Sequence, residues 1–339
     1  MFTALTTNII IFMIAALTII IAGSRLAKQA DILADHSGLG EALFGVVLLA
    51  GVTSLPDFAS TLSAAFDSRP DLAMSNVMGS MAANLVFLGV ADIVYRRANL
   101  EHASASPVNL MLAGLLIVLL TLPLIAVFTP IVPHWHFHPV TPLILGAYLF
   151  GLHLVHRTRA QPMWFPRKTR QTVDDIPEKH KKYAPGRVWF GFISMAVMTG
   201  FAGWFLMEAA KAIGHHTGLS DTLVGGLLTA LSTSTPELVT TIAAIRIGAL
   251  TLAVSNIFGT NCFNMLVVAT ADLGYRNGSI YHDMSQMQMI WGLVNILMTA
   301  ILLLGLVKRE PYGIGRIGFE SAAILVIYIL TLTVIVTTG

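Results

Sequence analysis

Long apolar stretches separated by short polar loops follow one another along the whole chain. About twenty consecutive apolar residues are enough for a helix to cross the hydrocarbon core of a bilayer. The pattern predicts ten membrane-spanning helices, whose ends are placed to within about four residues. The predicted spans lie near residues 5–24, 40–66, 71–95, 107–130, 140–156, 188–212, 219–246, 250–274, 284–307 and 315–337.

The composition also indicates an integral membrane protein. Of the 339 residues, 55% are hydrophobic and 11% are charged, whereas about 25% are charged in a typical soluble domain. The single cysteine, Cys262, excludes a disulfide framework and a cysteine zinc cluster. The N-terminus lacks the basic stretch of a signal peptide, so the first apolar run is expected to be a mature span. We expect a multi-pass protein of a prokaryotic plasma (inner) membrane, with the lipid bilayer as its environment and no nucleic-acid partner.

The loops differ strongly in their content of basic residues. If the N-terminus lies outside, the inner loops hold 17 Lys and Arg residues and the outer loops hold 3. Because basic residues concentrate in cytoplasmic loops, this asymmetry predicts that the N-terminus is outside. Nine of the inner basic residues lie between Arg157 and Arg187.

One polar pattern occurs twice, with a constant offset of 180 residues. The segments His36–Arg96 and His216–Arg276 are identical at about 22 of 61 positions. Each half holds five predicted spans, an odd number, so the second half must cross the membrane in the opposite direction. Such inverted repeats place a transport site near the midplane, between the repeats. The predicted organisation is a first repeat at 1–156 with its motif at 50–84, a cytoplasmic basic linker at 157–187, and a second repeat at 188–339 with its motif at 230–264.

The two motifs each place one carboxylate inside an apolar span. The first reads TSLPD, then SNVMGS and Asn84, and the second reads TSTPE, then SNIFGT and Asn264. Small polar residues in membrane helices often serve only for packing. A carboxylate at the bilayer centre costs at least about 2.5 kcal/mol, so Asp57 and Glu237 indicate a functional site.

The oxygen-bearing side chains around these carboxylates recur at a spacing of four residues, which places them on one helix face. A proline inside a helix frees the carbonyl four residues earlier, so Pro56 and Pro236 are expected to expose those of Val52 and Ser232. All these oxygens are hard donors, which suit Ca²⁺ or Na⁺. Without a cation the two carboxylates would repel, so one cation should leave only as another arrives. The faces comprise Thr53, Asp57 and Thr61; Asn76, Ser80 and Asn84; Thr233, Glu237 and Thr241; and Asn256, Thr260 and Asn264.

The paired motifs and the five-plus-five topology resemble the calcium/cation antiporter superfamily, typified by sodium/calcium exchangers. The resemblance covers essentially the whole chain. It implies a ten-helix fold in which spans 2, 3, 7 and 8 form the ion site, while spans 1 and 6 slide across them to alternate access. It also implies that Asp57 and Glu237 are central carboxylates shared by Ca²⁺ and Na⁺, completed by Asn84 and Asn264. The implied ligands of flanking Na⁺ ions are the hydroxyls of Thr53, Ser54, Ser80, Thr233, Ser234 and Thr260, with carbonyls near Ala50 and Ala230.

This chain departs from the family pattern at several positions. Asp57 stands where the family usually has Glu, which shortens the side chain by one methylene. Met81 occupies a position that is commonly Asn, and its match in the second repeat is Asn261. Asn264 stands where some members carry Asp, and the second motif is STSTPE rather than GTSLPE. These departures leave the fold unchanged and leave the ion preference and stoichiometry open.

The leading hypothesis is a secondary antiporter that exchanges Ca²⁺, or a similar hard cation, for Na⁺, as a monomer without a cofactor. A cation/proton antiporter is the alternative, because carboxylates suit both coupling ions. Two remote alternatives are an ion channel and an intramembrane hydrolase with a carboxylate acid/base pair. The chain has no GxGD, GxSG or HExxH motif, and its halves are nearly equivalent, so we expect that it is not an enzyme.

Two weaker signals lie outside the motifs. His134, His136 and His138 alternate in the loop between spans 4 and 5. They could bind a transition metal, but such a segment is more often an aromatic belt at the membrane surface. Asp92 and Asp272 match between the repeats and lie at helix ends, where we expect them to anchor the interface.

Overall fold

The computed structural model describes residues 5–37, 40–130, 137–173, 185–217, 229–313 and 317–338, and every regular element among them is helical. A π-helical turn, Gly45–Leu49, joins α2 to α3. The helices are α1 Leu5–Ser37, α2 Gly40–Phe44, α3 Ala50–Thr53, α4 Leu55–Phe66, α5 Pro70–Tyr95, α6 Leu100–Ala103, α7 Pro107–Phe128, α8 Val140–Ala160, α9 Pro185–Thr217, α10 Ala230–Thr233, α11 Thr235–Ile247, α12 Leu250–Gly274, α13 Gln286–Lys308 and α14 Phe319–Thr338.

The helices are those of a membrane protein, which confirms the predicted class. Among the described residues, α1, α5, α7, α9, α12 and α13 are long and apolar enough to cross a bilayer, and the bent unit α2–α4 makes a seventh such element. The shorter α8, α10–α11 and α14 occupy the positions of the other predicted spans. Part of the predicted span 219–246 lies outside the described residues.

The second predicted span is broken at its proline. The axes of Gly40–Thr53 and Leu55–Phe66 differ by 53°, because Pro56 has no N–H with which to continue the helix. The Ser54 N–H bonds to the Ala50 carbonyl at 3.0 Å and also turns toward the Val52 carbonyl. Ser234 repeats this arrangement with Ala230 and Ser232. The carbonyls that the prolines were expected to free therefore share the N–H of the residue at the break.

Two glycines allow α12 to approach the bent unit closely. A Cβ on Gly259 would lie 2.5 Å from the Cα of Val46, and one on Gly45 would lie 2.4 Å from the Ser255 Oγ. The backbone contact leaves no room for a side chain at Gly259, whereas a side chain at Gly45 would have to displace the Ser255 hydroxyl. The resulting contact brings α12, which carries part of the second motif, against the bent unit α2–α4, which carries part of the first motif.

The helices α1 and α9 pack along each other at the side of the bundle. Ala15 and Ile19 of α1 form a small apolar cluster with Ala202 and Leu206 of α9, separate from the main core. Next to it, a Cβ on Gly203 would lie 2.7 Å from the Pro56 ring. Gly203 of α9 therefore lies directly against the proline of the first helix break.

Asp92 and Asp272 hold equivalent loops at opposite ends of the bundle. Each carboxylate accepts one backbone N–H from the loop that follows its own helix and one from the start of a distant helix. The bonds are from Leu100 and Gly318 to Asp92 at 2.7 and 3.0 Å, and from Ile280 and His138 to Asp272 at 3.0 and 2.8 Å. Both aspartates are fully buried and hold loops within the protein, whereas the sequence led us to expect anchoring at the membrane surface.

His138 is also committed to this packing. Its ring nitrogens contact the Thr129 hydroxyl at 3.1 Å and the Val140 N–H at 3.2 Å. Burial and the neighbouring His282 lower the pKa of His138, which favours the neutral imidazole. The other histidines of the predicted cluster, His134 and His136, lie outside the described residues.

Candidate ion-binding site

The two helix breaks lie where the repeated motifs meet, and the twelve residues predicted for the site are buried there. Each has an exposed fraction of at most 2%. Asp57 and Glu237 lie in the first turns of α4 and α11, directly after the breaks. A helix N-terminus stabilises negative charge, so the breaks help to hold carboxylates inside an apolar protein.

The two closest hydrogen bonds to Asp57 come from its own half of the chain, and Thr233 and Asn264 of the other half lie near it. The Asp57 Oδ1 accepts a hydrogen bond from the Ser80 hydroxyl at 3.0 Å and one from the Asn76 amide at 3.4 Å. The Asn76 amide also donates to the Thr61 hydroxyl at 3.0 Å. The Oδ2 of Asp57 has no partner among the described residues. One carboxylate oxygen is therefore anchored and the other is available to a ligand.

Glu237 has no donor of its own. Neither of its carboxylate oxygens has a hydrogen-bond partner in the described part of the chain. The nearby Thr53 hydroxyl donates to the Leu49 and Ala50 carbonyls, at 3.1 and 3.3 Å. Asp57 lies close enough for the two carboxyl groups to interact electrostatically. Their mutual repulsion favours a bound cation.

The two halves of the chain touch directly beside Asp57. The Ser80 and Thr233 hydroxyls are 3.1 Å apart, and the Ser234 hydroxyl donates to the Ser80 carbonyl at 3.5 Å. The Thr233 hydroxyl also bonds to the Ala230 carbonyl at 3.1 Å. The predicted carbonyl ligands near Ala50 and Ala230 therefore already accept bonds from a backbone N–H and a threonine hydroxyl.

Asn261 lies beside the predicted site residues, although the sequence pointed to it only as the counterpart of Met81. Its amide donates to the Met81 carbonyl at 3.0 Å and accepts from the Asn84 amide at 2.9 Å. It thereby orients Asn84 and joins α5 to α12. The signal for this role was its match with Met81, a polar residue opposite an apolar one.

The site is rich in buried oxygens that have no donor. An unsatisfied polar group costs several kcal/mol at membrane depth, so such a concentration favours a positively charged ligand. No group of three or more His, Cys, Asp or Glu side chains is assembled within the described ranges, so the donors are carboxylate, amide and hydroxyl oxygens, which suit Ca²⁺ and Na⁺. The oxygens without a partner are Ser54 Oγ, Asp57 Oδ2, Asn84 Oδ1, Glu237 Oε1 and Oε2, Thr260 Oγ1 and Asn264 Oδ1.

Comparison with known families identifies the family of the chain. A family model described as sodium/calcium exchanger protein matches residues 7–157 and again residues 187–337. The chain belongs to the sodium/calcium exchanger family. Each of the two matches contains one of the repeated motifs, and membership of this family makes the protein a multi-pass membrane cation antiporter rather than an enzyme.

Relatives of this exchanger-family chain occur in bacteria and archaea. It is 26% identical over 260 residues to the inner membrane protein YrbG of Escherichia coli, which covers 76% of this chain and 77% of that protein. The putative antiporter CaxA of Alkalimonas amylolytica is also 26% identical over 260 residues, covering 76% of this chain and 78% of the relative. A sodium/calcium exchanger of Methanosarcina acetivorans is 24% identical over 362 residues, covering 98% of this chain and 99% of the relative.

The fold of this exchanger-family chain is that of a solved exchanger. The structure of the sodium-calcium exchanger NCX_Mj soaked with 10 mM Na⁺ and zero Ca²⁺ superposes with a TM-score of 0.71 at 18% identity. The match covers 97% of this chain and 99% of that one. The similarity at this identity concerns the fold alone, and it agrees with the all-helical membrane class expected from the sequence.

Proposed function

We propose that this protein exchanges Ca²⁺ for Na⁺ by alternating access at a midplane site between two inverted five-span repeats. The observation that carries the proposal is the pair Asp57 and Glu237, which are buried together with free carboxylate oxygens. The N-terminus lies outside in this proposal, and the protein works as a monomer, without a cofactor, in a plasma (inner) membrane.

The topology is supported by the loop contacts. At one end of the bundle, the Arg309 guanidinium donates to the carbonyls of Arg167 and His102. At the other end, His282 contacts the Thr129 carbonyl at 2.8 Å. Helices that alternate in direction through ten spans bring these loops together in this way. The two family matches have the same 180-residue offset as the repeat.

The ion chemistry follows from charge balance. One Ca²⁺ neutralises both carboxylates, and six to eight oxygen ligands suit it. When Ca²⁺ leaves, the repulsion between Asp57 and Glu237 returns unless Na⁺ enters. The two cations are the cargo, so coupling arises because the empty pair is unfavourable at membrane depth. The hydroxyls of Ser54 and Thr260, which have no partner in the described part of the chain, are available to flanking Na⁺ ions.

The α1–α9 pair provides the movement. In the part nearest the helix breaks, its cluster of Ala15, Ile19, Ala202 and Leu206 is separate from the main core. Gly203 presents no side chain to Pro56. Because no side chain of α9 interlocks with the helix break at this position, the pair can slide across the breaks and expose the site to one side of the membrane at a time.

The test is a flux assay in reconstituted vesicles. An outward Na⁺ gradient is expected to drive ⁴⁵Ca²⁺ uptake, and Glu237→Gln is expected to abolish it because one of the two charges is lost. The matched control is Glu208→Gln, since Glu208 is partly exposed and pairs with Lys211 at 3.3 Å. Uptake that responds to neither a Na⁺ nor a pH gradient would contradict the proposal.

A cation/proton antiporter is the second candidate. It is favoured by Glu237, whose two oxygens receive no hydrogen bond within the described residues, because such a carboxylate can take up a proton in place of Na⁺. Dissipating the pH gradient at a fixed Na⁺ gradient separates the two: uptake should persist for sodium coupling and stop for proton coupling.

A further inference from the structure

A second pair of buried carboxyl groups lies at the end of the bundle where α5 and α13 end. Glu101 of the short helix α6 and Glu320 in the first turn of α14 are each only 1% exposed. Within the described residues, both oxygens of Glu101 and one oxygen of Glu320 are buried without a hydrogen-bond partner. The exchange site does not use these groups.

The two side chains are packed tightly against each other and against backbone. They lie within hydrogen-bonding reach of each other. Glu320 also packs closely against α13, where a Cβ added to Gly305 would lie 2.6 Å from the Glu320 carboxyl carbon. This packing leaves Glu320 little freedom to turn toward solvent.

The charges around the pair do not neutralise it. Asp92 faces both carboxyl groups and Glu310 faces Glu320, and both are acidic. The Lys308 ammonium is 3.3 Å from Glu310 and lies over the Phe319 ring. The guanidinium of Arg309 bonds to Arg167, His102 and Thr172, and the His102 ring bonds to the Arg309 carbonyl and Thr169. The described cations nearby are therefore engaged elsewhere.

The other half of the chain shows that the fold itself does not need these carboxyls. At the offset of 180, Glu101 corresponds to Tyr281, and Glu320 corresponds to Val140. The Tyr281 hydroxyl bonds to the Thr141 hydroxyl at 3.1 Å. Both ends share the aspartate that holds the loop, but only one end buries two acids beside it.

Two ionised carboxylates without donors are not stable in this position. Burial raises the pKa of Glu101 well above its usual range, and the nearby Asp92 and Glu320 raise it further. Two carboxyl groups in contact avoid this cost when they share one proton, because the protonated group then donates a hydrogen bond to the ionised group. Among the residues described, no three His, Cys, Asp or Glu side chains are placed so that they could hold a metal ion together, so a proton suits the pair better than a metal ion.

We propose that Glu101 and Glu320 form a proton-binding site, in which one shared proton makes a hydrogen bond that links the loop after α5 to the start of α14. The retained proton favours the folded state at low pH. As pH rises and the proton is lost, two negative charges are left in contact, and this end of the bundle is expected to loosen. The site is separate from the exchange site, so this proposal does not depend on which cation the protein transports.

Infrared spectroscopy of the full protein in lipid tests the shared proton directly. A C=O stretch of a protonated carboxyl is expected near neutral pH and should disappear in Glu101→Gln. The band should survive Glu310→Gln, the matched control with a more exposed carboxyl, and Glu237→Gln, which removes the acid of the exchange site. A spectrum in which Glu101→Gln removes no such band would overturn the proposal.

Thermal unfolding against pH gives the second readout. The melting temperature of the parent protein should fall as pH rises from about 6 to about 9, and this slope should be lost in Glu101→Gln, whose amide imitates the protonated acid. Glu320→Gln should lose the slope as well, which provides a second variant if the first fails to fold. If Ca²⁺, Na⁺ or K⁺ removes the slope in the parent protein but leaves the variants unaffected, the site binds a metal cation and the proton assignment is wrong.

Discussion

The two carboxylates of the candidate site occupy equivalent positions in the repeat but are held differently. Asp57 accepts bonds from Ser80 and Asn76. At the corresponding positions of the second half, Thr260 has no partner among the described residues, and Asn256 donates to Thr240 and Thr241 instead. One carboxylate is preorganised by its own half, and the other accepts no hydrogen bond among the described residues.

The length of the side chain accounts for this difference. The shorter Asp57 stays near its own helix pair, where Ser80 can reach it. Glu237 carries one more methylene, and its carboxylate accepts no bond from Thr260 or Asn256 of its own half, while Asp57 and Thr53 of the other half lie nearby. The departure from the family's usual Glu at residue 57 therefore gives the site one fixed and one adjustable ligand.

Shortening the adjustable ligand should have the largest effect. Glu237→Asp withdraws the carboxylate from Asp57, and we expect a loss of about 100-fold in apparent Ca²⁺ affinity, the upper end for perturbed metal sites. Asp57→Glu should lose less, about 10-fold, because Ser80 and Asn76 can still donate to the longer side chain. The Ca²⁺ dependence of vesicle uptake measures both, and equal losses would refute the contrast between fixed and adjustable ligands.

Removing the anchor of Asp57 should come next. Ser80→Ala deletes a donor to Asp57 and a contact with Thr233, and we expect about a tenfold loss in apparent Ca²⁺ affinity, typical of partners that orient a ligand. Thr260→Ala, at the equivalent position, should lose less Ca²⁺ affinity and should change mainly the Na⁺ dependence of uptake. A larger loss of Ca²⁺ affinity in Thr260→Ala would reverse the assignment of the two halves.

The loop anchors extend the comparison to stability. Asp272 also accepts hydrogen bonds from the hydroxyls of Thr141 and Ser279. In Asp272→Asn, the new NH₂ group is itself a donor and would meet these donors, so the variant should destabilise the fold by about 2 kcal/mol. Asp92→Asn should cost less, because it also relieves repulsion with Glu101 and Glu320. Thermal unfolding in detergent compares the two variants, and a greater loss in Asp92→Asn would contradict this account.

The smallest effect is expected for the bridge between α5 and α12. Asn261→Ala removes the bonds to Asn84 and the Met81 carbonyl, which should destabilise the protein by about 1 kcal/mol. Thr333→Ala is the control, since its hydroxyl bonds only to its own helix at an exposed position. Unfolding of both variants in the same detergent measures the difference, which should vanish if the bridge contributes nothing.

Much of the fold and of the candidate site could be read from the chain. The all-helical membrane class follows from apolar length, because a bilayer leaves no alternative partner for the backbone of an apolar stretch. Asp57 and Glu237 could be singled out because a duplicated carboxylate is costly in an apolar span. Motif spacing and the family resemblance supplied the other ten predicted residues, and all twelve prove to be buried. The role of Asn261 could not be read, because a bond to the Met81 carbonyl depends on how α5 and α12 meet.

The sequence alone determined which residues are polar inside the membrane and that they occur twice, since burying such groups without a purpose is too costly to repeat. Only the tertiary structure decided which of them satisfy one another. Ser80 and Asn76 hold Asp57, whereas Glu237 is left without a donor in the described residues. Hydrogen bonding depends on distances of a few tenths of an ångström between helices far apart in the chain, and a motif repeated at a constant offset cannot encode that asymmetry.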